Sequence, residues 1–273
     1  LCWRLYQALL FMLPLPFAGV YGWGWGLFSL IAFISLGLLL VDNYRGKVEN
    51  SKVGKDSALR QSSAILMLLC GTQLIVLFQY FFTSVTQHDS YQDFIQGMAL
   101  IAFFSLTVLL INTRARIERA IWLVIIAGAF QAMYGSFMVM SGLEWGFFSE
   151  KWAYLGKATG TFVNRNHLAG YLEMSLALGI GFLLASATRY SGNWQQKIRQ
   201  FIEVLLSPKV IMRLLLAVMV IGLVMSRSRM GNTAFFASLM ITGGLALLLM
   251  KNKSASTTVL LSSLLIIDVA IVG

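Results

Sequence analysis

Of the 273 residues, 58% are hydrophobic and only 12% are charged, more apolar surface than one water-soluble core can hide, so a soluble globular domain is excluded. The net charge of +10 would suit a nucleic-acid partner, but the basic stretches lack the interleaved aromatic residues of such a surface, and no nucleic acid is expected. Lipid offers backbone groups no hydrogen-bond partners, and the apolar runs are long and unbroken rather than alternating, so the predicted fold is all-α, a polytopic transmembrane helical bundle.

Runs close to the roughly 20 residues that cross hydrocarbon place about nine spans, at 5–20, 23–41, 63–82, 94–112, 119–141, 168–188, 211–225, 231–250 and 257–273. The first is short and contains Pro14 and Pro16. With the second it reads as a hairpin whose tip, Tyr21 to Gly26, lies in the interfacial aromatic belt. Cys2 and Cys70 have neither disulfide-framework nor metal-ligand spacing, and His88, beside Asp89, reads as a solvated loop residue. A long outer loop, 142–167, carries Trp145, Phe147, Phe148, Trp152 and Tyr154. Aromatic faces stack on sugar rings, but they also anchor loops at the membrane interface, and anchoring is the plainer reading. Segment 189–210, with Trp194, Lys197 and Arg199, reads as a cytoplasmic amphipathic segment lying on the membrane surface. The chain opens on Leu1 without a cleavable signal pattern and is still apolar at Gly273, so 1–273 reads as a single transmembrane domain, the amino-terminal part of a longer protein.

Short cytoplasmic loops carry the excess of Lys and Arg, and with Arg4 inside, sixteen of the 21 basic residues fall on one side. The amino end is therefore predicted to be cytoplasmic. Five basic residues break the rule, Lys151, Lys157, Arg165, Arg227 and Arg229, and all lie in two outer loops that precede the sixth and eighth spans. Both spans point a helix amino end outward, where free N–H groups and the positive end of the helix dipole favour an anion. Asn164 or Asn166 is a candidate cap for one helix and Ser228 or Asn232 for the other, which leaves arginines beside each cap. The arginine fork suits phosphate oxygens. Against this stands a blander account, in which the arginines snorkel to lipid phosphates. Lys151 and Lys157 read as ordinary loop charges, and His167 as a capping or interfacial residue or a base. Glu173, an acid inside a span, is a functional candidate that either orients an arginine, reads a sugar hydroxyl or forms a structural pair with a buried cation. Asp268 carries no functional expectation. No Gly-rich phosphate loop, zinc spacing or paired-carboxylate metal site is present, so neither cofactor nor metal is expected.

Two stretches, Gly160-Thr161-Phe162-Val163-Asn164-Arg165-Asn166-His167-Leu168-Ala169-Gly170-Tyr171-Leu172 and Ser226-Arg227-Ser228-Arg229, carry a family resemblance. There the chain resembles the O-antigen ligase and O-antigen polymerase superfamily of bacterial envelope glycosyltransferases. The rest of the likeness is a hydropathy pattern. The resemblance implies a multi-pass protein of the bacterial inner membrane that works in lipopolysaccharide or other polysaccharide synthesis. It implies metal-independent transfer, on the periplasmic face, of a glycan from undecaprenyl diphosphate to an acceptor hydroxyl, on lipid A-core or another glycan. Arg227 and then Arg165 are the implied catalytic residues, stabilising the departing diphosphate. Asn164, Asn166, His167, Glu173, Ser226 and Arg229 are the implied substrate-binding residues. A polymerase, a protein O-oligosaccharyltransferase, and a transporter or flippase of lipid-linked saccharide remain the alternatives, with a scaffolding subunit as the blandest. One departure stands out: the family's essential histidine lies in a later periplasmic loop, and this sequence has no histidine beyond His167. The general base is therefore expected outside these residues.

Overall fold

A computed structural model of the chain describes residues 1–15, 21–44, 58–83, 86–146, 149–185 and 208–249. Among them the secondary structure is helical: α1 (Cys2–Met12), α2 (Gly22–Tyr44), α3 (Ala58–Gln61), α4 (Ser63–Phe82), α5 (Gln87–Leu110), α6 (Arg114–Ser141), α7 (Arg165–Ala185), α8 (Pro208–Met225) and α9 (Arg229–Leu249). Helices α2, α4, α5, α6 and α7 are long and apolar enough to cross a membrane, five of the nine predicted spans, and α8 contributes a shorter apolar helix over Val210–Met225. The span at 257–273, residues 189–207 of the amphipathic segment, Phe147, Phe148 and Asp268 lie outside the described residues. The chain divides into two compact units, Leu1–Leu123 and Val124–Gly273.

In the first unit α1 packs on α2, and both α2 and α4 pack on α5. Leu9, Phe28, Ala32, Ala99 and Ala102 form one buried cluster, and Cys2, Tyr6, Leu106 and Leu110 another. The Tyr6 hydroxyl reaches Thr107 Oγ1 at 2.9 Å, and its ring stacks on Phe103. Three expectations shift here. Helix α1 stops at Met12, short of Pro14, whose missing N–H cannot extend a helical ladder, so this apolar run begins with an 11-residue helix. The glycine-rich stretch after Tyr21 is not an open tip, because α2 starts at Gly22 and carries Gly24 and Gly26 in its first turns. A helical glycine costs about 1 kcal/mol, but an unpaired backbone group in lipid costs several, so the ladder wins. Helix α5 begins at Gln87 rather than near residue 94, which takes His88 and Asp89 into its first turn, where Asp89 faces the positive pole and His88 pairs with Gln92 at 2.7 Å. Along α4 no described residue is buried, and Leu68, Phe78 and Phe82 stand exposed, an apolar surface that lipid would cover.

In the second unit α7 packs on α8 and on α9. Close packing, rather than burial of apolar surface, holds spans together in lipid, so helices approach where side chains are small. A Cβ added to Gly179 of α7 would fall 2.4 Å from Leu216 of α8, and one on Gly222 of α8 would fall 2.5 Å from Ala132 of α6. The third close approach matters most for the site. A Cβ on Gly231, at the start of α9, would fall 2.6 Å from the Ala169 Cβ near the start of α7, which draws two helix amino ends together.

Candidate functional site

The segment leading into α7 is fastened before the helix begins. Gln131, fully buried in α6, donates from Nε2 to Thr161 Oγ1 at 2.9 Å, and its Oε1 accepts the Thr161 N–H at 2.8 Å. Gly160 adopts φ +57, and a Cβ there would lie 2.5 Å from that same Gln131 oxygen, so conformation and space both require glycine. The Ala158 N–H donates to the carbonyl of Met225 at 3.0 Å, tying this segment to the end of α8.

Both helix starts are capped by short polar side chains. Asn164 Oδ1 accepts the Asn166 N–H at 2.8 Å, so Asn164 is the N-cap of α7, and the helix begins one turn earlier than expected. Ser228 caps α9, its Oγ accepting the Gly231 N–H at 3.2 Å. The same hydroxyl donates to Asn166 Oδ1 at 2.9 Å, so one hydrogen bond joins the two helix starts. Arg165 and Arg229 therefore sit at the first position of α7 and α9. A cation beside the positive end of a helix is unfavourable, and both arginines bear that cost.

Between α8 and α9 the chain turns through Arg227, which adopts φ +51. This is the left-handed position after a helix end that glycine ordinarily fills. Ser226 shapes the turn: its hydroxyl donates to Leu223 O at 2.6 Å and accepts the Ser228 N–H at 3.2 Å. The Arg227 carbonyl accepts from Arg165 Nη1 at 3.0 Å, while the Arg227 side chain is exposed.

These residues surround a cavity of about 700 Å³ lined by Lys157, Arg165, Asn166, Arg227, Arg229 and Asn232, with Val224 and Met230 as its apolar side. Among the described residues no carboxylate lies within 4.0 Å of its four cationic side chains, and the ion pairs are Arg114–Glu118 and Lys151–Glu144. Arg165 Nε and Asn232 Oδ1 are buried without a hydrogen-bond partner. Such a site attracts an anion with several oxygens, and the planar guanidinium groups suit phosphate.

The preceding loop is built around Lys151, which is not the ordinary loop charge expected. Its side chain is only 6% exposed, and its ammonium meets three acceptors, Glu144 Oε2 at 2.7 Å, Tyr154 O at 3.1 Å and Lys157 O at 2.9 Å. Glu144 Oε1 also accepts the Gly156 N–H. Burial pushes the Glu144 carboxyl up, but the hydrogen bonds from Lys151 and Gly156 and the Lys151 charge outweigh it and hold the group below its ordinary range. The stability this carboxylate contributes is thus complete above the ordinary carboxylate pKa and fades only as pH falls through the lowered one.

Of the residues singled out in the sequence, Arg165, Asn166, Arg227 and Arg229 line one cavity, joined by Lys157 and Asn232. Asn164 and Ser226 stand behind it as a cap and a turn former. His167 is exposed in the first turn of α7 and does not line the cavity. Among the described residues Glu173 has no ion pair, and it lies against Gly231, where its Oε1 is 2.9 Å from the position of an added Cβ. Gln131, Glu144 and Tyr154 were missed as supports of the site, although a glutamine within an apolar span was a visible signal for the first. Compared with family models, with curated proteins and with solved structures, the chain finds no match. What fold and site define is a class, a protein helical throughout its described residues, with five helices long and apolar enough to cross a membrane and a cationic cavity where two helices begin.

Proposed function

We propose that the protein is a metal-independent glycosyltransferase of the O-antigen ligase type, transferring a glycan from undecaprenyl diphosphate to an acceptor hydroxyl at the periplasmic face of the bacterial inner membrane. The observation that carries this reading is the convergence of Arg165, Arg227 and Arg229 on one cavity with no carboxylate paired to them among the described residues. The resemblance in 160–172 and 226–229 supplies the reaction. The acceptor oxygen forms a bond to the anomeric carbon, the bond from that carbon to the diphosphate breaks, and the acceptor proton passes to a base. Negative charge grows on the leaving diphosphate, and guanidinium groups already in place lower the barrier without reorganising. Arg227 and Arg165 take that role, with Arg229 and Asn166 holding the diphosphate. Lipid A-core, a second lipid-linked repeat or a protein hydroxyl would each complete the same reaction, so ligase, polymerase and protein O-oligosaccharyltransferase differ only in acceptor.

The test is transfer in proteoliposomes from undecaprenyl-diphosphate oligosaccharide to lipid A-core, without added metal or nucleotide. We expect product that Arg227→Ala reduces at least about a hundredfold, the scale of losing one preorganised oxyanion donor. Lengthened lipid-linked glycan instead would identify the polymerase. Donor binding without either product would favour a transporter of lipid-linked saccharide and overturn the reading.

A further inference from the structure

We propose that Glu144 is a positioning residue for the cationic cavity, acting through Lys151 and the Tyr154–Lys157 turn to hold the Tyr154 ring on the Arg165 guanidinium. The inference rests on the anion-binding reading of that cavity and adds a device that sets its strength.

The connection can be followed bond by bond. The Tyr154 ring lies 5.7 Å from the Arg165 guanidinium carbon, within the range of cation–π attraction. That guanidinium is also held at Nη1 by the Arg227 carbonyl, so a ring on one side and a carbonyl on another define where it points. The ring is placed by a turn closed by the Lys157 N–H on Tyr154 O at 3.3 Å. Gly156 stands at the third position of that turn with φ +69, and Tyr154 itself is held at φ +56, a conformation a tyrosine adopts only when its surroundings impose it. What imposes it is the Glu144–Lys151 pair. Lys151 donates to the carbonyls at both ends of the turn, Tyr154 and Lys157, and Glu144 holds both the Lys151 ammonium and the Gly156 N–H. The ammonium thus donates to two backbone carbonyls and makes an ion-pair contact of 2.7 Å with Glu144 Oε2. Glu144 does not line the cavity, whereas Lys157 and Arg165 do, so its influence is transmitted rather than direct.

Loss of the Glu144 charge would slacken both ends of the turn at once. Arg165 would then sample orientations that do not face the anion, and affinity would fall by the share of time it spends there.

The experiment is a binding series with inorganic pyrophosphate as the probe, on the purified full chain in detergent, read by calorimetry and accompanied by thermal unfolding. Glu144→Gln is close to isosteric and keeps an acceptor for Gly156, but it removes the charge and puts an amide NH2 where the Lys151 ammonium had a carboxylate oxygen. We expect it to bind pyrophosphate roughly three- to tenfold more weakly, the scale of a cation–π contact between an exposed and a desolvated setting. Tyr154→Leu should weaken binding by the same factor and Tyr154→Phe should not, since the ring and not the hydroxyl is used. In an Arg165→Ala background, Glu144→Gln should cause no further weakening, because the group it positions is gone. An unchanged affinity in Glu144→Gln, or an equal loss with and without Arg165, would overturn the proposal and leave Glu144 as a loop brace. Arg165→Ala binding pyrophosphate as tightly as wild type would overturn the reading of the cavity itself, and the proposal with it. Should Glu144→Gln fail to fold, Glu144→Asp, which keeps the charge but shortens its reach to Lys151 and Gly156, takes its place: weaker binding with Arg165 present and none further in the Arg165→Ala background supports the proposal, and unchanged affinity overturns it.

Discussion

Arg227 holds a backbone conformation that costs an arginine about 1 kcal/mol or more and a glycine almost nothing. A residue of that kind at a helix exit, with its side chain exposed at the mouth of a cavity, points to a use for the guanidinium. Arg227→Gly separates the two demands. We expect it to abolish glycan transfer while leaving the unfolding temperature in detergent unchanged or slightly raised, and Arg227→Lys to keep the charge, lose the fork and retain only a small fraction of activity. A variant that transfers glycan normally as Arg227→Gly would remove this residue from the mechanism. The charge of Arg227 was legible in the sequence, because the predicted topology puts it on the side that basic loops avoid. Its left-handed backbone was not, since nothing in Met225-Ser226-Arg227-Ser228 marks a glycine position.

At the scale of elements, the site is made by the beginnings of α7 and α9 and by what caps them. Asn164→Ala should lower stability by about 1 kcal/mol through loss of the cap, and Asn164→Gly by only a few tenths. His167→Ala, exposed and without a hydrogen-bonding partner for its ring among the described residues, should not shift the unfolding temperature. Thermal unfolding of the three variants in one detergent checks this order, and an equal loss in all three would mean that the cap is not what stabilises the helix start. The short list of candidate caps could be written from residue type, because asparagine and serine carry a side-chain oxygen that accepts a nearby backbone N–H and apolar side chains carry none. Which candidate caps and which links was decided by register: the helix begins at Arg165, so Asn164 caps and Asn166 is free to join Ser228. Hydropathy alone places a helix start at the first apolar residue, here Leu168, and so misses the polar turn that precedes it.

For the whole molecule, the distribution of basic residues predicts a cytoplasmic amino end and an outward cavity. In a chain with Cys2 and Cys70 replaced by alanine, single cysteines at Ser90 and Glu150 should react with a membrane-impermeant maleimide added to intact spheroplasts, and one at Arg116 should react only after lysis. The reverse pattern would invert the orientation and remove the periplasmic reaction with it.

Composition and apolar run length by themselves pointed to a helical chain suited to membranes, and they located five of its long apolar helices, because in lipid every backbone polar group must be paired within its own segment and that requirement is written in apolar length. They also picked out the outlying cations, because charge bias is a property of residue order. Tertiary structure alone decided that Arg165, Arg227 and Arg229 share one cavity, that Lys151 is neutralised inside its loop, and that Gln131 fastens Thr161. These depend on helix register, on close approaches such as Gly231 against Ala169, and on hydrogen bonds between residues far apart in the chain. No local pattern encodes them.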